Sequence, residues 1–389
     1  NWLKEYTTIT IEPEALAEKL GIAGHEVDEI EHVGHDLKLI ITGKIEQIEP
    51  HPNADKLVIT TIFDGSNKHQ IVTGAKNIKV NDIVPVCLPG GQCANNLKIK
   101  ASKLRGIPSN GMPCSEAECG LTDQSDGIWI LPEKTPLGID FCDYAKLKDT
   151  LLDIAILPNR GDCLNIYGIA REISVILNTP LKPLNLSFQE VKSTTPLTVS
   201  IQEETKCSAY QGRVITIDSV DEFPVWMKTR LFYSGIKPIH TIVDITNYVL
   251  LEVGQPLHAF DYAKLSSDIT VRLAEENETL QTLDQQTQKL DPSMMVIADP
   301  KSPLALAGIM GGKSSEVTSS TTQILLESAH FDPIQIRKTA LNVGLRTESA
   351  IRFEKGIDQT NSTIGSKRAC HLLETLAECT IEAPISQIK

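Results

Sequence analysis

No stretch of this chain is apolar for the ~18–20 residues that a membrane-spanning helix needs, so no membrane partner is expected. The opening residues, "NWLKEYTTIT", lack the basic segment and apolar run of a secretory signal. They also lack Met, and the expectation is that a few residues precede them. Cys-x-x-Cys pairs are missing as well. The nine cysteines are odd in number and scattered, and the tightest pairs are Cys87/Cys93 and Cys114/Cys119. That spacing does not suit a zinc site, and without a secretion signal a disulfide framework is not expected. Reduced thiols in a cytoplasmic protein are the expectation. Positive charge is in deficit, with 37 Lys and Arg against 50 Asp and Glu and a net charge of −13. A generally basic nucleic-acid binder is thereby excluded, and any such contact must be local. There is no G-x-S-x-G elbow and no Cys/His/Asn signature, which leaves no covalent nucleophile in a recognised context. Internal repeats and low-complexity tracts are absent.

What is present is ordinary for a globular protein: 389 residues, 41% apolar and 22% charged, enough for several domains. "TIEPEALAEKLGIAG" reads as a short helix, with Pro13 at its first turn and Gly21 as its stop. From Leu39 to about Asp143 short β-rich runs alternate with Gly, Asn and Asp turns, among them "LIITGKIEQI", "LVITTIFDG", "HQIVTGA", "DIVPVCLPG" and "GIWILPE". Five such runs in about a hundred residues predict a small oligonucleotide/oligosaccharide-binding (OB-fold) barrel. "PNRGDCLNIYGIAREISVILNTP" predicts a helix capped by Asp162, and the Pro/Ser/Thr-rich residues after it a linker. Beyond Leu197 strands such as "ITVRLA", "MMVIAD" and "ILLESA" mix with helices, one of them "DPIQIRKTALNVG" and the last an amphipathic helix from Asn361 to Cys379.

Two regions carry candidate chemistry. Lys98, Lys100, Lys103 and Arg105 form a short interval with four cations and no acid. On a barrel rim they would track a phosphate backbone, with Asn53, Lys56 and Asn77 adding polar contacts; a solvated strand edge accounts for the same charges. The second region is "DITNYVLLEVGQPLHAFD". Its apolar run Tyr248–Val253, read as a strand, lies between Thr246-Asn247 and Gly254-Gln255-Pro256-Leu257-His258. Glu327 is embedded in the apolar run "ILLESA", where a lone carboxylate is costly without a partner. A salt bridge to Arg or Lys would satisfy Glu327, and a structural role would explain His258. Gly311-Gly312 suits either close backbone approach to a ligand or a plain turn.

These residues also carry a resemblance. "HPNADKL", "IVTGAKN" and "KLRGIPSNGMPCSE" resemble the tRNA-binding barrel of several aminoacyl-tRNA synthetases. "PNRGDCLNIYGIAREI", "VDITNYVLLEVGQPLHAFD", "LALAGIMGG", "ILLESAHFDP" and "LRTESAIRFEKGID" resemble, in order, the bacterial phenylalanyl-tRNA synthetase β subunit. The family's chain is about twice as long, so the resemblance implies its N-terminal half.

It implies a multidomain α+β chain. Residues 1–38 with 150–190 would form a small helical domain. An OB-fold tRNA-binding domain (39–149) would be inserted in it, and a mixed α/β editing domain (191–380) would follow, with 381–389 beginning a further domain. The implied function is support of ATP-dependent charging of tRNA(Phe) by an α subunit in an α2β2 heterotetramer, with hydrolysis of mischarged Tyr-tRNA(Phe). A non-catalytic tRNA-binding scaffold and a free-standing deacylase are the alternatives. No cofactor is expected on this segment; ATP and Mg2+ serve the whole enzyme, and the family's magnesium carboxylates lie beyond residue 389. By resemblance Glu327 reads the tyrosine hydroxyl. Thr246, Asn247, Pro256 and His258 line the editing pocket, Gly311 and Gly312 offer backbone amides, and Thr347 and Ser349 flank it. Glu348 stands where Asp is common, and Lys237 stands where the family has Arg. A positioned water would attack the ester, oriented by Thr246, His258 and Thr347.

Overall fold

A computed structural model describes residues 1–388 apart from 204–205, 221–222 and 267. The chain divides into two compact units: Val27–Asp153 with Glu222–Lys237, and Trp2–Glu26 with Ile154–Asp221 and Pro238–Lys389.

The first unit is built on a five-stranded antiparallel sheet ordered Lys68–Thr73, Val58–Phe63, Lys38–Pro50, Ile83–Gln92, Met112–Pro113. Strand Lys38–Pro50 is long enough to pair with two neighbours, and bulges between Ile45 and Gln47 and between Lys38 and Ile40 bend it from one to the other. Ile45, Ile62, Ile71, Val84 and Val86 close the interior. A second cluster gathers Cys87, Cys93, Cys114, Cys119 and Cys142 around Trp129 and Phe141. All nine cysteines of the chain are free, and Cys93 and Cys114 place their sulfurs 3.6 Å apart, in contact but unbonded. A satellite hairpin, Ser102–Leu104 with Ile107–Ser109, turns through Arg105 (φ 49°) and Gly106 (φ 92°). Two successive positive φ values give the turn that matches strand twist.

The second unit packs two sheets against each other. One runs Leu257–Asp261, Gln323–Phe331, Cys207–Val220, and the other runs Val199–Ile201, Ile269–Leu273, Met295–Ala298, Pro303–Leu306, Met310–Gly311. Tyr210, Val214, Phe260 and Leu325 meet Val271, Val296, Ile297 and Leu306 in a common core.

Several expectations are corrected here. Tyr248–Val253 is not a strand but the C-terminal half of helix Thr241–Val253, which ends on Gly254 in the left-handed region (φ 76°). Its Ile, Val and Thr content favours strands locally. Burial of Ile242, Ile245, Tyr248, Val249, Leu250 and Val253 leaves no polar face for helical periodicity to reveal. Helix Pro13–Ile22 runs through Gly21, and the left-handed residue that follows it is Gly24 (φ 90°). Asn165 rather than Asp162 caps helix Ile166–Ile176, accepting from the Gly168 N–H at 2.6 Å. The last helix stops at Leu376, and Ala377–Ile381 and Ile385–Ile388 both pair with the 14-residue strand Cys207–Val220. Residues 385–388 thus extend this unit's sheet.

Nor do residues 2–26 and 154–190 form a compact unit apart from 191–380. Trp2 stacks on Tyr248 at 4.7 Å, and the Tyr6 hydroxyl bonds to Glu252. Glu252 is fully buried and also receives two bonds from Arg368, at 2.6 and 2.8 Å. A buried carboxylate holding both a terminal helix and a late one ties these segments into one cooperative block.

Candidate functional site

Antiparallel pairing sets His258 directly opposite Glu327. Directly opposed residues project to the same face of a sheet, and both line one cavity of about 60 Å3 in the second unit. Pro256 and Leu257 continue that wall. The turn of the facing hairpin, Leu306 to Gly311, lies across from it, and Ser349 and Phe353 come from helix Glu348–Glu354. The walls are apolar except for His258, Glu327 and Ser349.

Gly311 makes the imidazole's place. A Cβ there would lie 2.3 Å from His258 Cε1 and 2.6 Å from Nε2. Part of the His258 side chain remains accessible, yet Nε2 is enclosed and has no hydrogen-bond partner. An orphaned buried nitrogen calls for a ligand or a water. Desolvation pushes the His258 imidazole down to about 4, so it is neutral at physiological pH.

The same burial pushes the Glu327 carboxyl up to about 8, opposed by a hydrogen bond from the Tyr210 phenol, 3.3 Å from Oε2. No Arg or Lys pairs with Glu327 among the described residues, so the salt-bridge account does not hold. The side chain that satisfies it is itself a phenol. Tyr210 leans across Gly212, the residue opposite Glu327 in the pairing. At neutral pH the cavity therefore holds no full charge, and it presents groups that donate or accept hydrogen bonds to a neutral hydroxyl.

The raised carboxyl makes a pH prediction. A Glu more basic folded than unfolded binds protons preferentially in the native state. Its contribution is fully present below the unfolded value of about 4.5 and is lost as pH rises toward 8. Stability should fall across that window by up to ~1.4 kcal/mol per pH unit of fully linked protonation. Glu327→Gln should flatten this decline in thermal melts from pH 5 to pH 9; an unaltered slope would place the titration elsewhere.

Other expected site residues take structural places. Thr246 lies within helix Thr241–Val253, its Oγ1 donating to the Val243 carbonyl at 2.7 Å, and neither it nor Asn247 lines the cavity. Gly312 is also outside the lining. A Cβ there would meet the Leu304 carbonyl oxygen at 2.4 Å, and its N–H already donates to that oxygen, so this amide is unavailable to a ligand. Thr347 caps helix Glu348–Glu354 through the Ala350 N–H and donates to the Ile309 carbonyl at 2.9 Å, fixing the turn that roofs the cavity. Lys237 belongs to the first unit and is not in the lining. Sequence reasoning missed Tyr210, Met310 and Phe353; no local signal distinguishes them from core.

In the first unit Lys98, Lys100, Lys103 and Arg105 are all exposed, and none forms an ion pair among the described residues. Asn53 and Lys56 are exposed as well. The buried His51 accepts from the Asn53 N–H at 3.1 Å, and its Nε2 lies 3.1 Å from the Leu104 carbonyl, linking the "HPNADKL" loop to the basic hairpin. Asn77 is corrected: its amide is taken up on both sides by the Ile128 backbone, at 2.8 and 3.1 Å.

Among the described residues one set of side chains has metal-ligand proximity, with His25, Cys163 and Glu172 offering atoms within 4.8 Å of one another. Arg160 stands among them, 3.2 Å from His25 Nε2, 2.9 Å from the Cys163 sulfur and 2.8 Å from Glu172. The guanidinium supplies the positive charge a metal would bring, so the donor set does not suit one. No helix among the described residues is long and apolar enough to cross a membrane.

Family models match both halves of this description. Residues 40–140 match "Putative tRNA binding domain" and residues 206–378 match the B3/4 domain. Fold and matches define a mixed α/β protein in which a tRNA-binding module accompanies a B3/4 domain. The phenylalanine–tRNA ligase β subunit of Clostridium acetobutylicum is 42% identical over 382 residues, 96% of this chain and 48% of the relative. That of Protochlamydia amoebophila is 42% identical over 392 residues, 99% of this chain and 49% of the relative. The chain belongs to the phenylalanine–tRNA ligase β-subunit family and spans about half the length of the curated relatives it matches. An N-terminal fragment of the Pyrococcus horikoshii phenylalanyl-tRNA synthetase β subunit covers 62% of this chain and 67% of its own at 14% identity, with a TM-score of 0.32. That likeness is too slight to bear on the fold.

Proposed function

We propose that this chain is the tRNA-contacting and proofreading part of a phenylalanine–tRNA ligase, and that the His258/Glu327 cavity hydrolyses tyrosine misattached to tRNA(Phe). The observation that carries the reading is Glu327: a carboxyl buried in an apolar wall, without a cation among the described residues, already hydrogen-bonded to a phenol. A pocket shaped for phenylalanine rejects an added hydroxyl poorly, whereas a site built to bond that hydroxyl selects for it strongly. The ring of a mischarged tyrosine would lie against Ile309, Met310 and Phe353 with its hydroxyl at Glu327. Water attacks the ester carbonyl, the tRNA 3′ oxygen leaves and takes the proton, and free tyrosine results. Neutral His258 orients water or ester through Nε2; with its proton affinity this low it is a positioning group rather than a strong base.

The five-stranded sheet of the first unit is read as a closed OB-type barrel. Hydrogen bonds join its edge strand Lys68–Thr73 to the residues before Met112: Val72 N–H to Ser109 Oγ (3.1 Å), Asn110 N–H to the Gln70 carbonyl (2.9 Å), Gln70 Nε2 to the Pro108 carbonyl (2.8 Å). Its basic hairpin would contact tRNA. Charging of tRNA(Phe), with ATP and Mg2+, is assigned to an α subunit in an α2β2 assembly. Changing Lys98, Lys100, Lys103 and Arg105 together to Ala should weaken tRNA binding and flatten its salt dependence, since each lost phosphate contact releases one fewer counterion. Filter-binding titrations across salt check this; an unchanged slope means the strip is solvated edge. The test of the cavity is deacylation of Tyr-tRNA(Phe) by the full-length enzyme with and without Glu327.

A further inference from the structure

Beside the end of helix Glu348–Glu354, which also lines the cavity, lies a second concavity, of about 640 Å3, lined by Ala340, Leu341 and Leu345 and edged by Arg337 and Arg346. We propose that this groove holds the single-stranded 3′ end of the tRNA acceptor arm, and so delivers the terminal aminoacyl ester to the cavity. The inference rests on the proofreading function proposed above and assigns its nucleic-acid subsite.

Three observations point to an RNA strand. The segment Pro333–Thr347 contains Arg337, Lys338 and Arg346 and no acid, in a chain whose net charge is −13. All three cations are exposed, and none has an ion-pair partner among the described residues. Helix Pro333–Val343 also shows solvent two large aliphatic side chains at heptad separation, Ile334 (64% exposed) and Leu341 (73%), on the face that carries Arg337 and Lys338. A positively charged groove that tracks the backbone is one part of a single-strand site; here exposed aliphatic side chains stand where aromatic ones usually stack the bases. Third, the groove shares a wall with the cavity. Glu354 and Lys355, at and just past the end of the short helix, line the groove, while Ser349 and Phe353 line the cavity. The two therefore border the same short helix. Lys355 does not add to the phosphate contacts, because its Nζ donates to the Ile156 carbonyl at 2.9 Å, and Glu354 sets one acid at the rim. Thr347, which caps this helix and holds the Ile309 turn, couples the two sides.

The experiment uses the full-length enzyme carrying Arg337→Ala, Lys338→Ala and Arg346→Ala, exposed positions whose loss leaves the core intact. Deacylation of Tyr-tRNA(Phe) should show KM raised about tenfold or more at moderate salt, with kcat at saturation within about twofold. The salt dependence of kcat/KM should drop by about 0.7 per lost contact. Restoring charge as Arg337→Lys with Arg346→Lys should recover most of the KM. An unchanged KM and salt slope overturns the groove. So does loss of association with the synthetic subunit at unchanged KM, which would make the face a protein-docking surface. Glu327→Ala run in parallel keeps the two proposals apart. If it leaves Tyr-tRNA hydrolysis intact, the cavity assignment fails and the groove loses its basis. If it impairs hydrolysis while the triple variant behaves as wild type, the groove alone fails.

Discussion

Glu327→Ala should abolish the preference for Tyr-tRNA over Phe-tRNA while leaving the chain folded. A hydrogen bond between a neutral carboxyl and a phenol is worth roughly 0.5–1.5 kcal/mol, about two- to tenfold in selectivity. Phenylalanine lacks the hydroxyl and loses nothing through that contact, so the ratio of the two deacylation rates should collapse toward one. Glu327→Gln should retain part of the preference, because an amide both accepts and donates, as the protonated acid does. Tyr210 makes the test sharper. It is buried on the neighbouring strand and already holds Glu327 Oε2, so Tyr210→Phe removes the positioning bond without touching the ligand's. That variant should show a smaller loss of selectivity together with a Glu327 titration displaced further upward, since the phenol bond favours the ionised carboxylate. Measuring both charged tRNAs alongside melting temperature separates recognition from folding. A Glu327→Ala enzyme that melts early yet still prefers Tyr would show the carboxyl to be structural.

The legibility of this chain followed the locality of its signals. Helices bounded by Pro at the first turn and Gly at the end, such as Pro333–Val343 with Asp332 accepting from the Gln335 N–H, stand in the sequence because the capping groups lie within four residues of what they cap. The β-rich run from Leu39 also follows from local alternation and turn residues. Thr241–Val253 did not, because its fate is decided by what packs on it from Trp2, Tyr6 and Arg368, more than a hundred residues away in either direction. The same division governs the site. Glu327 and His258 were visible as polar groups in apolar runs, but their pairing across two strands is a matter of register. Thr246, Asn247 and Gly312 looked equivalent to them in sequence, and the structure places the first two in a helix and all three outside the cavity lining. Tyr210 was invisible, since a tyrosine in the strand "CSAYQGRVIT" reads as core until Gly212 is seen to open its path to Glu327.

Gly311→Ala should damage the candidate site with a single methyl. Gly311 has an ordinary backbone conformation, so the cost is one of space alone, and the space belongs to His258. The added Cβ would lie 2.3 Å from Cε1, far inside contact distance, and the ring has little room to yield, being in edge contact with Phe260 at 4.5 Å between centroids. Overpacking of this kind costs typically 1–3 kcal/mol. It should also turn the imidazole out of the cavity and so cut Tyr-tRNA deacylation by at least about tenfold, the loss of one oriented hydrogen-bonding group. The origin of the effect is checked by a double-mutant cycle with His258→Ala. If the two residues compete for one volume, the methyl's destabilisation should largely vanish once the ring is gone, giving coupling on the order of 1 kcal/mol or more. The double variant would then melt close to His258→Ala alone while deacylating as slowly as that variant. If instead Gly311 is needed only for its peptide geometry at the strand end, the methyl should cost the same with or without the ring, and the two losses in melting temperature should simply add. Strict additivity would separate Gly311 from His258 and leave the imidazole's place in the cavity without its explanation.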